Sequence, residues 1–194
     1  MKPLILVGGG GHCKSVIDVA ESAGYNILGI LDKQEFVGTA VLGYPILGTD
    51  DEIPKYADKV DFVVTSGQIK NTGIRRKIES IIEKAGGHFA TVIAEDAYVS
   101  EHAVIGDGTV VLHKAVVNAG AEIGKNCIIN TMVNIEHDVY IGDCCHISTG
   151  TMVNGGTKIG NDCFVGSGCT LYNGIKIADG SVVPAGIVVR KSIE

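Results

Sequence analysis

Tryptophan is absent from the chain, aromatic residues make up only 5%, and four prolines stand beside 27 glycines, a balance that argues against a disordered linker. No apolar run approaches the roughly 20 residues that a membrane-spanning helix needs. The stretch LILV (residues 4–7) follows only Met-Lys-Pro and leads straight into glycines, so the start does not read as a signal peptide. Net charge is −6 and no block of Lys or Arg occurs, which excludes nucleic acid as the expected partner. The six cysteines form no C-x-x-C pair, so they are expected to be small apolar thiols in a reduced, cytoplasmic protein. What is present, in 194 residues, is enough for one large domain or two small ones.

The first ninety residues alternate strand and helix signals. LILV reads as a strand ending in GGGGH, and Val16, Val19, Ala20 and Ala23 form a helical stripe stopped by Gly24. ILGIL (27–31) and VDFVVT (60–65) read as further strands. Ile74, Ile78, Ile81, Ile82 and Ala85 form a second helical stripe ended by Gly86-Gly87, and HFATVI (88–93) reads as the next strand. This order predicts a small parallel sheet with flanking helices.

From Ile93 the period changes to six. Ile93, Val99, Ile105, Val111 and every sixth residue thereafter to Val189 are Ile, Val or Leu, without exception. Four residues after each comes a mostly small side chain, such as Ala103, Thr109, Cys127 or Cys145. One aliphatic and one small position per hexad is the pattern of a parallel β-helix with flat faces. Ile-Gly pairs at 105, 123, 141 and 159 add a period of 18, so three hexads close one triangular coil and residues 18 apart stack roughly 4.8 Å from each other. Cys127, Cys145 and Cys163 then share an inward column, as core filler rather than a metal ladder.

Two histidines, His137 and His146, are nine residues apart, half a coil. On one chain they fall on different sides of the prism and serve one site only if neighbouring prisms pack side by side. A closed three-fold ring is the simplest such assembly. Glu136 and Asp138 flank His137 and suit it to act as a base, whereas an incidental surface histidine is the plainer alternative. Gly142, five residues on, removes the second histidine that an interface metal would use, so no metal is expected.

The stretches VGGGGHCKSVIDVAESAGY, ILDK, SGQ and IEHDVYIGDCCHISTG together resemble the hexapeptide-repeat acyltransferases, in particular the nucleotide-amino-sugar N-acetyltransferases of bacillosamine and perosamine type and the related sialic-acid O-acetyltransferases. The resemblance implies a Rossmann-like α/β domain for the nucleotide sugar over residues 1–92 and a left-handed β-helix acyltransferase domain over 93–194. It also implies acetyl-CoA as co-substrate and a homotrimer. It makes His137 the general base and Asp138 the acid that raises its basicity. His146, Ser167 and Ala185 fall to acetyl-CoA, and 149, 167 and 185 form one corner column. Gly10, Gly11 and His12 fall to the sugar nucleotide, Asp32 to its base or ribose, and Gly67 to its sugar or phosphate. Gly155, one coil from His137, is either a backbone donor to the oxyanion or a plain corner glycine. No register of G-x-G-x-x-G is complete around residues 8–14, so NAD is not expected.

Three features depart from that family: Lys33 replaces a second acid, QIKNTGIRRK is longer than usual, and the ending VVRKSIE predicts a reduced cofactor wall. The expected reaction is N-acetylation of a nucleoside-diphosphate amino sugar by direct attack. The alternatives are O-acetylation of a sialic-acid-type sugar, or a non-catalytic sugar-nucleotide-binding protein.

Overall fold

The computed structural model describes residues 2–69 and 71–194; Lys70, within the QIKNTGIRRK stretch, lies outside the described residues. The N-terminal unit runs β1 (Leu4–Val7), α1 (Gly11–Ser22), β2 (Ile27–Leu31), β3 (Ala40–Val41), β4 (Tyr44–Gly48), α2 (Ile53–Tyr56), β5 (Asp61–Val64), α3 (Gly73–Lys84) and β6 (His88–Phe89). Its sheet has the order β3-β4-β2-β1-β5-β6, and every pairing but that of β3 with β4 is parallel. All four residues of β1 are buried, as a central strand covered on both faces requires. Both long helices stop where glycine permits a left-handed turn. Gly24 (φ 73°) and Gly86 (φ 72°) donate to Glu21 and Glu83 carbonyls, and the next residues, Tyr25 and Gly87, reach back to Ala20 and Ile82.

Three details differ from the sequence expectation. The β3–β4 hairpin turns on Leu42 and Gly43, both at positive φ, but its strands are too short to leave a periodic signal. HFATVI is not one strand: β6 closes the first sheet, and β7 (Val92–Ile93) already pairs with Val110–Val111 of the prism. On α3 the apolar stripe is only half buried. Ile74 is exposed, whereas Arg75 and Glu79 face inward with Ile78 and Ile82.

The second unit is a left-handed parallel β-helix of two-residue strands, β7 to β23 (Val188–Val189), one in every hexad. The strands stack into three flat faces of six, six and five. Residues 18 apart are in register throughout, for example Val111 with Ile129 and Ile129 with Ile147. The second residue of each strand points inward, and together these aliphatics form a single core column on each face. Burial of each such side chain contributes about 1.5–3 kcal/mol. The small inward column is not inert. Thr109 Oγ1 donates to the Gly124 carbonyl at 2.7 Å, and the thiols of Cys127, Cys145 and Cys163 repeat that bond to Gly142, Gly160 and Ala178. At one corner Asp143, Asn161 and Asp179 each accept the backbone N–H of a residue one coil earlier, at 2.7–2.8 Å.

The two units meet along the first face of the prism, where Val92, Val110 and Ile128 pack with α1. Deeper along the seam, α3 docks through charged side chains. Fully buried Arg75 donates to the carbonyls of Val64, Ser66 and Asn126, and Arg76 makes a paired contact with Asp162. Glu79 accepts from Asn126 Nδ2 at 2.7 Å. Buried groups of this kind persist only when their hydrogen bonds are supplied locally. No helix among the described residues is long and apolar enough to cross a membrane.

Candidate active site

His137 stands on the corner between β14 (Asn134–Ile135) and β15 (Tyr140–Ile141), exposed to solvent. Asp138 next to it adopts φ 59°, the left-handed conformation that turns the chain and swings its carboxylate back toward the ring. The His137 Nδ1–Asp138 Oδ2 distance is 2.8 Å. An Nδ1–H donated to the carboxylate leaves Nε2 as the basic atom. The hydrogen bond, the charge of Asp138 and, more weakly, that of Glu136 raise the His137 pKa above its ordinary value. Glu136 is held by Asn134 (2.8 Å) and Asn118 (3.3 Å).

Beneath the ring lies Gly155. A Cβ there would come within 2.7 Å of His137 Nε2 and 2.8 Å of Cε1, so the missing side chain is what lets the imidazole settle against the prism. Gly155 is buried and its φ lies outside the left-handed range, so its place here is explained by contact with His137 rather than by backbone geometry.

His146, in β16 (His146–Ile147), points outward from the first face at the edge of the domain seam and is almost fully buried. Its Nδ1 is 2.7 Å from the Gln68 carbonyl, which fixes a proton on Nδ1. Nε2 then accepts from Asn130 Nδ2 at 3.0 Å; Asn130 Oδ1 is itself taken by the Thr131 N–H. Burial keeps this imidazole neutral, lowering its pKa against the opposing effect of the Gln68 carbonyl. Phe164 meets the ring edge-on at 5.2 Å. His137 and His146 therefore occupy different sides of one chain, a corner and the first face.

Of the residues expected to hold the nucleotide sugar, Gly10, Gly11 and Asp32 gather at the carboxyl ends of the first sheet. Asp32, just past β2, receives the backbone N–H of Gly9 (2.9 Å) and of Lys33 (2.8 Å) and stands between two hollows of about 410 Å³ each. One opens between β1 and β5 beside Gly8 and Ser66, the point where the strand order reverses and such sheets take ligands. The other includes Gly9, Gly10 and Lys14 at the start of α1. Among the described residues, open space surrounds the positions that a Cβ would take at Gly10 and Gly11 and no side chain caps the helix, so its start keeps uncapped N–H groups of the kind that suit phosphate. His12 points the other way. Its Nε2 is sealed from solvent and has no hydrogen-bond partner among the described residues; the ring lies 6.3 Å from that of His146, and burial together with Arg75 drives its pKa down to about 3. A Cβ at Gly67 would lie 3.8 Å from that of His12.

Ser167 and Ala185 are exposed and stacked on the corner between the first and second faces, Ser167 sharing a 2.8 Å hydrogen bond with Ser148. Of the cysteines, Cys144 follows His137 most closely in the chain, but burial and Glu79 push its thiol well above the ordinary range, which removes it as a nucleophile. Sequence reasoning missed Gln68 and Asn130, which hold His146. Gln68 ends the SGQ stretch, but a partner 78 residues away leaves no local pattern.

A family model, the PglD N-terminal domain, matches residues 3–82, and one for the hexapeptide repeat of succinyl-transferase matches residues 156–191. The acetyltransferase domain of PglB from Neisseria gonorrhoeae FA1090 superimposes with a TM-score of 0.92 at 31% identity, covering 100% of this chain and 94% of that one. The same domain has been solved in complex with acetyl coenzyme A, at 32% identity over 99% of this chain and 92% of that one, with a TM-score of 0.92. A histidine-to-asparagine mutant of perosamine N-acetyltransferase from Caulobacter crescentus, in complex with CoA and GDP-perosamine, matches at 29% identity with a TM-score of 0.92, covering 100% of this chain and 90% of that one. An uncharacterized protein of Acanthamoeba polyphaga mimivirus is 34% identical over 103 residues, which is 53% of this chain and 20% of that protein.

Proposed function

Since the chain belongs to the hexapeptide-repeat acetyltransferases that carry a PglD N-terminal domain, we propose that it transfers acetyl from acetyl-CoA to the amine of a nucleoside-diphosphate-linked amino sugar, with His137 as general base. The observation that carries this reading is the His137–Asp138 pair, an exposed imidazole with a carboxylate on one nitrogen and the other free to take a proton. The amine attacks the thioester carbonyl while Nε2 accepts its proton. The tetrahedral intermediate collapses by breaking the C–S bond, and CoA leaves as the thiol once protonated. The Gly155 N–H is the candidate donor to the oxyanion. Positioned base catalysis of this kind contributes about 10²–10⁴-fold. Direct attack needs no acyl-enzyme, in keeping with the buried, raised Cys144 thiol.

The site is proposed to form between copies of a homotrimer. The second face exposes Tyr98, Met152 and Val188, and it is bounded by the His137 corner on one side and the Ser167–Ala185 corner on the other. Packing three such faces about an axis sets His137 of one prism beside the Ser167–Ala185 corner and His146 of the next. The six unpaired thiols fit the reducing cytoplasm, where acetyl-CoA would be drawn.

The test is mass-spectrometric detection of acetyl transfer to UDP- and GDP-linked 4-amino sugars, with free sialic acid alongside. Product on a nucleotide sugar, lost in His137→Ala, supports the reading. Product on sialic acid alone would replace it with O-acetylation, and CoA-independent sugar-nucleotide binding without product would replace it with a binding role.

A further inference from the structure

The loop that leaves β5 runs from the hollow beside Asp32 to the buried histidine of the prism. At its start Thr65 is fixed to β1 and the glycine after it. Its N–H donates to the Val7 carbonyl and its Oγ1 to the Gly8 carbonyl, at 2.8 and 2.6 Å. Ser66 follows and lines the hollow. It packs so closely on Gly8 (φ 112°) that a Cβ there would fall 2.8 Å from the Ser66 backbone nitrogen. From behind, Arg75 holds the Val64 and Ser66 carbonyls at 2.9 and 2.7 Å. Two residues on, Gln68 is buried against the prism.

Gln68 grips the start of β16 at two points. Its Nε2 donates to the Cys144 carbonyl at 3.0 Å, and its own backbone carbonyl accepts the His146 Nδ1–H at 2.7 Å. The far side of the imidazole agrees with that proton. The Thr131 N–H occupies Asn130 Oδ1, so the Asn130 amide turns Nδ2 toward His146 Nε2 at 3.0 Å. Both donors therefore point one way, from Asn130 through His146 to Gln68. Gln68 Oε1 is buried with no hydrogen-bond partner among the described residues, a cost that an apolar side chain of the same length would avoid. What accounts for an amide here is its one donated bond, which holds the Gln68 carbonyl in front of His146.

We propose that Gln68 is a positioning residue that fixes the tautomer and orientation of His146 from the N-terminal unit, and that residues 65–68 thereby couple the two substrates. Gln68 acts through His146 and not on the reacting atoms. A ligand in the hollow at Ser66 and an acyl donor at His146 each steady the same short, doubly anchored segment. Each should then bind more tightly in the presence of the other, by the same factor in both directions. The inference rests on reading that hollow as the nucleotide-sugar site and His146 as a contact of the acyl donor.

The test uses the full chain and Gln68→Met, which fills a similar volume and donates nothing, with Gln68→Asn as a second variant that keeps the amide but withdraws it by one methylene. Nitrogen-15 spectra of histidine-labelled protein read the His146 tautomer, its signal assigned with His146→Gln. Equilibrium binding of CoA is measured with and without saturating UDP or GDP. The unsubstituted protein is expected to show the Nδ1–H form alone, and bound nucleotide should tighten CoA about tenfold. Both variants should show mixed tautomers and a nucleotide effect below about twofold. A tautomer that both variants leave unchanged overturns the positioning role. A nucleotide effect that is absent from the unsubstituted protein, or equal in the variants, overturns the coupling. Failure of both nucleotides to bind would overturn the sugar-nucleotide reading and the coupling with it, while the tautomer still decides the role of Gln68.

Discussion

At the scale of single residues, the proposed base, His137, is placed as much by what is missing beneath it as by its partner. Gly155→Ala would put a methyl group 2.7 Å from His137 Nε2. Because the imidazole is exposed and free to tilt, the expected cost is borne by catalysis. A displacement near 1 Å at a reacting atom is worth about 10²-fold in kcat, while the unfolding free energy should change by less than about 1 kcal/mol. Turnover and denaturant melts on the same variant separate the two. Asp138 supplies the other half. Its hydrogen bond raises the His137 pKa, and a base works only above its pKa, so the acid limb of the kcat profile should lie above the ordinary imidazole value of about 6.5. Asp138→Asn removes the charge and should move that limb to lower pH while lowering the plateau by roughly 10- to 10²-fold. A limb that stays in place would separate Asp138 from the tuning of the base.

At the scale of elements, the seam between the two units holds buried polar groups that respond to acid. His12 on α1 has a folded-state pKa of about 3 against 6.5 unfolded, so the unfolded chain binds the extra proton first. Stability from this group is therefore present above about pH 6.5 and lost as pH falls toward 3, with His146 acting in the same direction. Urea melts of His12→Gln should show a shallower loss between about pH 6.5 and 5 than the unsubstituted protein, by up to about 1.4 kcal/mol per pH unit. Parallel curves would place the protonation cost elsewhere.

The seam also marks where reading the sequence stops. The prism was legible because each hexad repeats the same burial, so the aliphatic at every sixth position from Ile93 to Val189 falls on the inner residue of a strand. The adjacency of His137 and Asp138 was legible for the same local reason. The docking face of α3 was not. Arg75 and Glu79 are buried only because Asn126 and the Val64 and Ser66 carbonyls receive them, and contacts about 50 residues apart impose no period on the helix. The bond between Gln68 and His146 is invisible in the sequence on the same grounds. Ile74 continues the apolar stripe of α3 by spacing, yet it lies at the rim of a hollow.

At the scale of the whole molecule, one chain keeps His137 and His146 on separate sides, so a site using both has to be shared. Co-expressed His137→Ala and His146→Ala chains, each inactive alone, should regain activity. Random mixing in a ring gives about a quarter of the sites both native histidines. Sedimentation of the unsubstituted protein should report three copies. Recovery with no assembly, or assembly with no recovery, would remove the shared site.

The coil of 18 residues also governs how such a chain can change length. An insertion of six keeps every aliphatic pointing inward, so the core survives. Every corner residue beyond it moves on by one corner, however, and Gly155 no longer sits beneath His137 if the insertion falls between them. Only a whole coil restores the columns, and even that would part this glycine from its histidine while leaving all sites above and below intact. The family resemblance in such proteins should therefore be inherited in steps of a full turn. Coils are free to be added at the ends of the prism, and the turns that join residues 137 and 155 stay closed to growth.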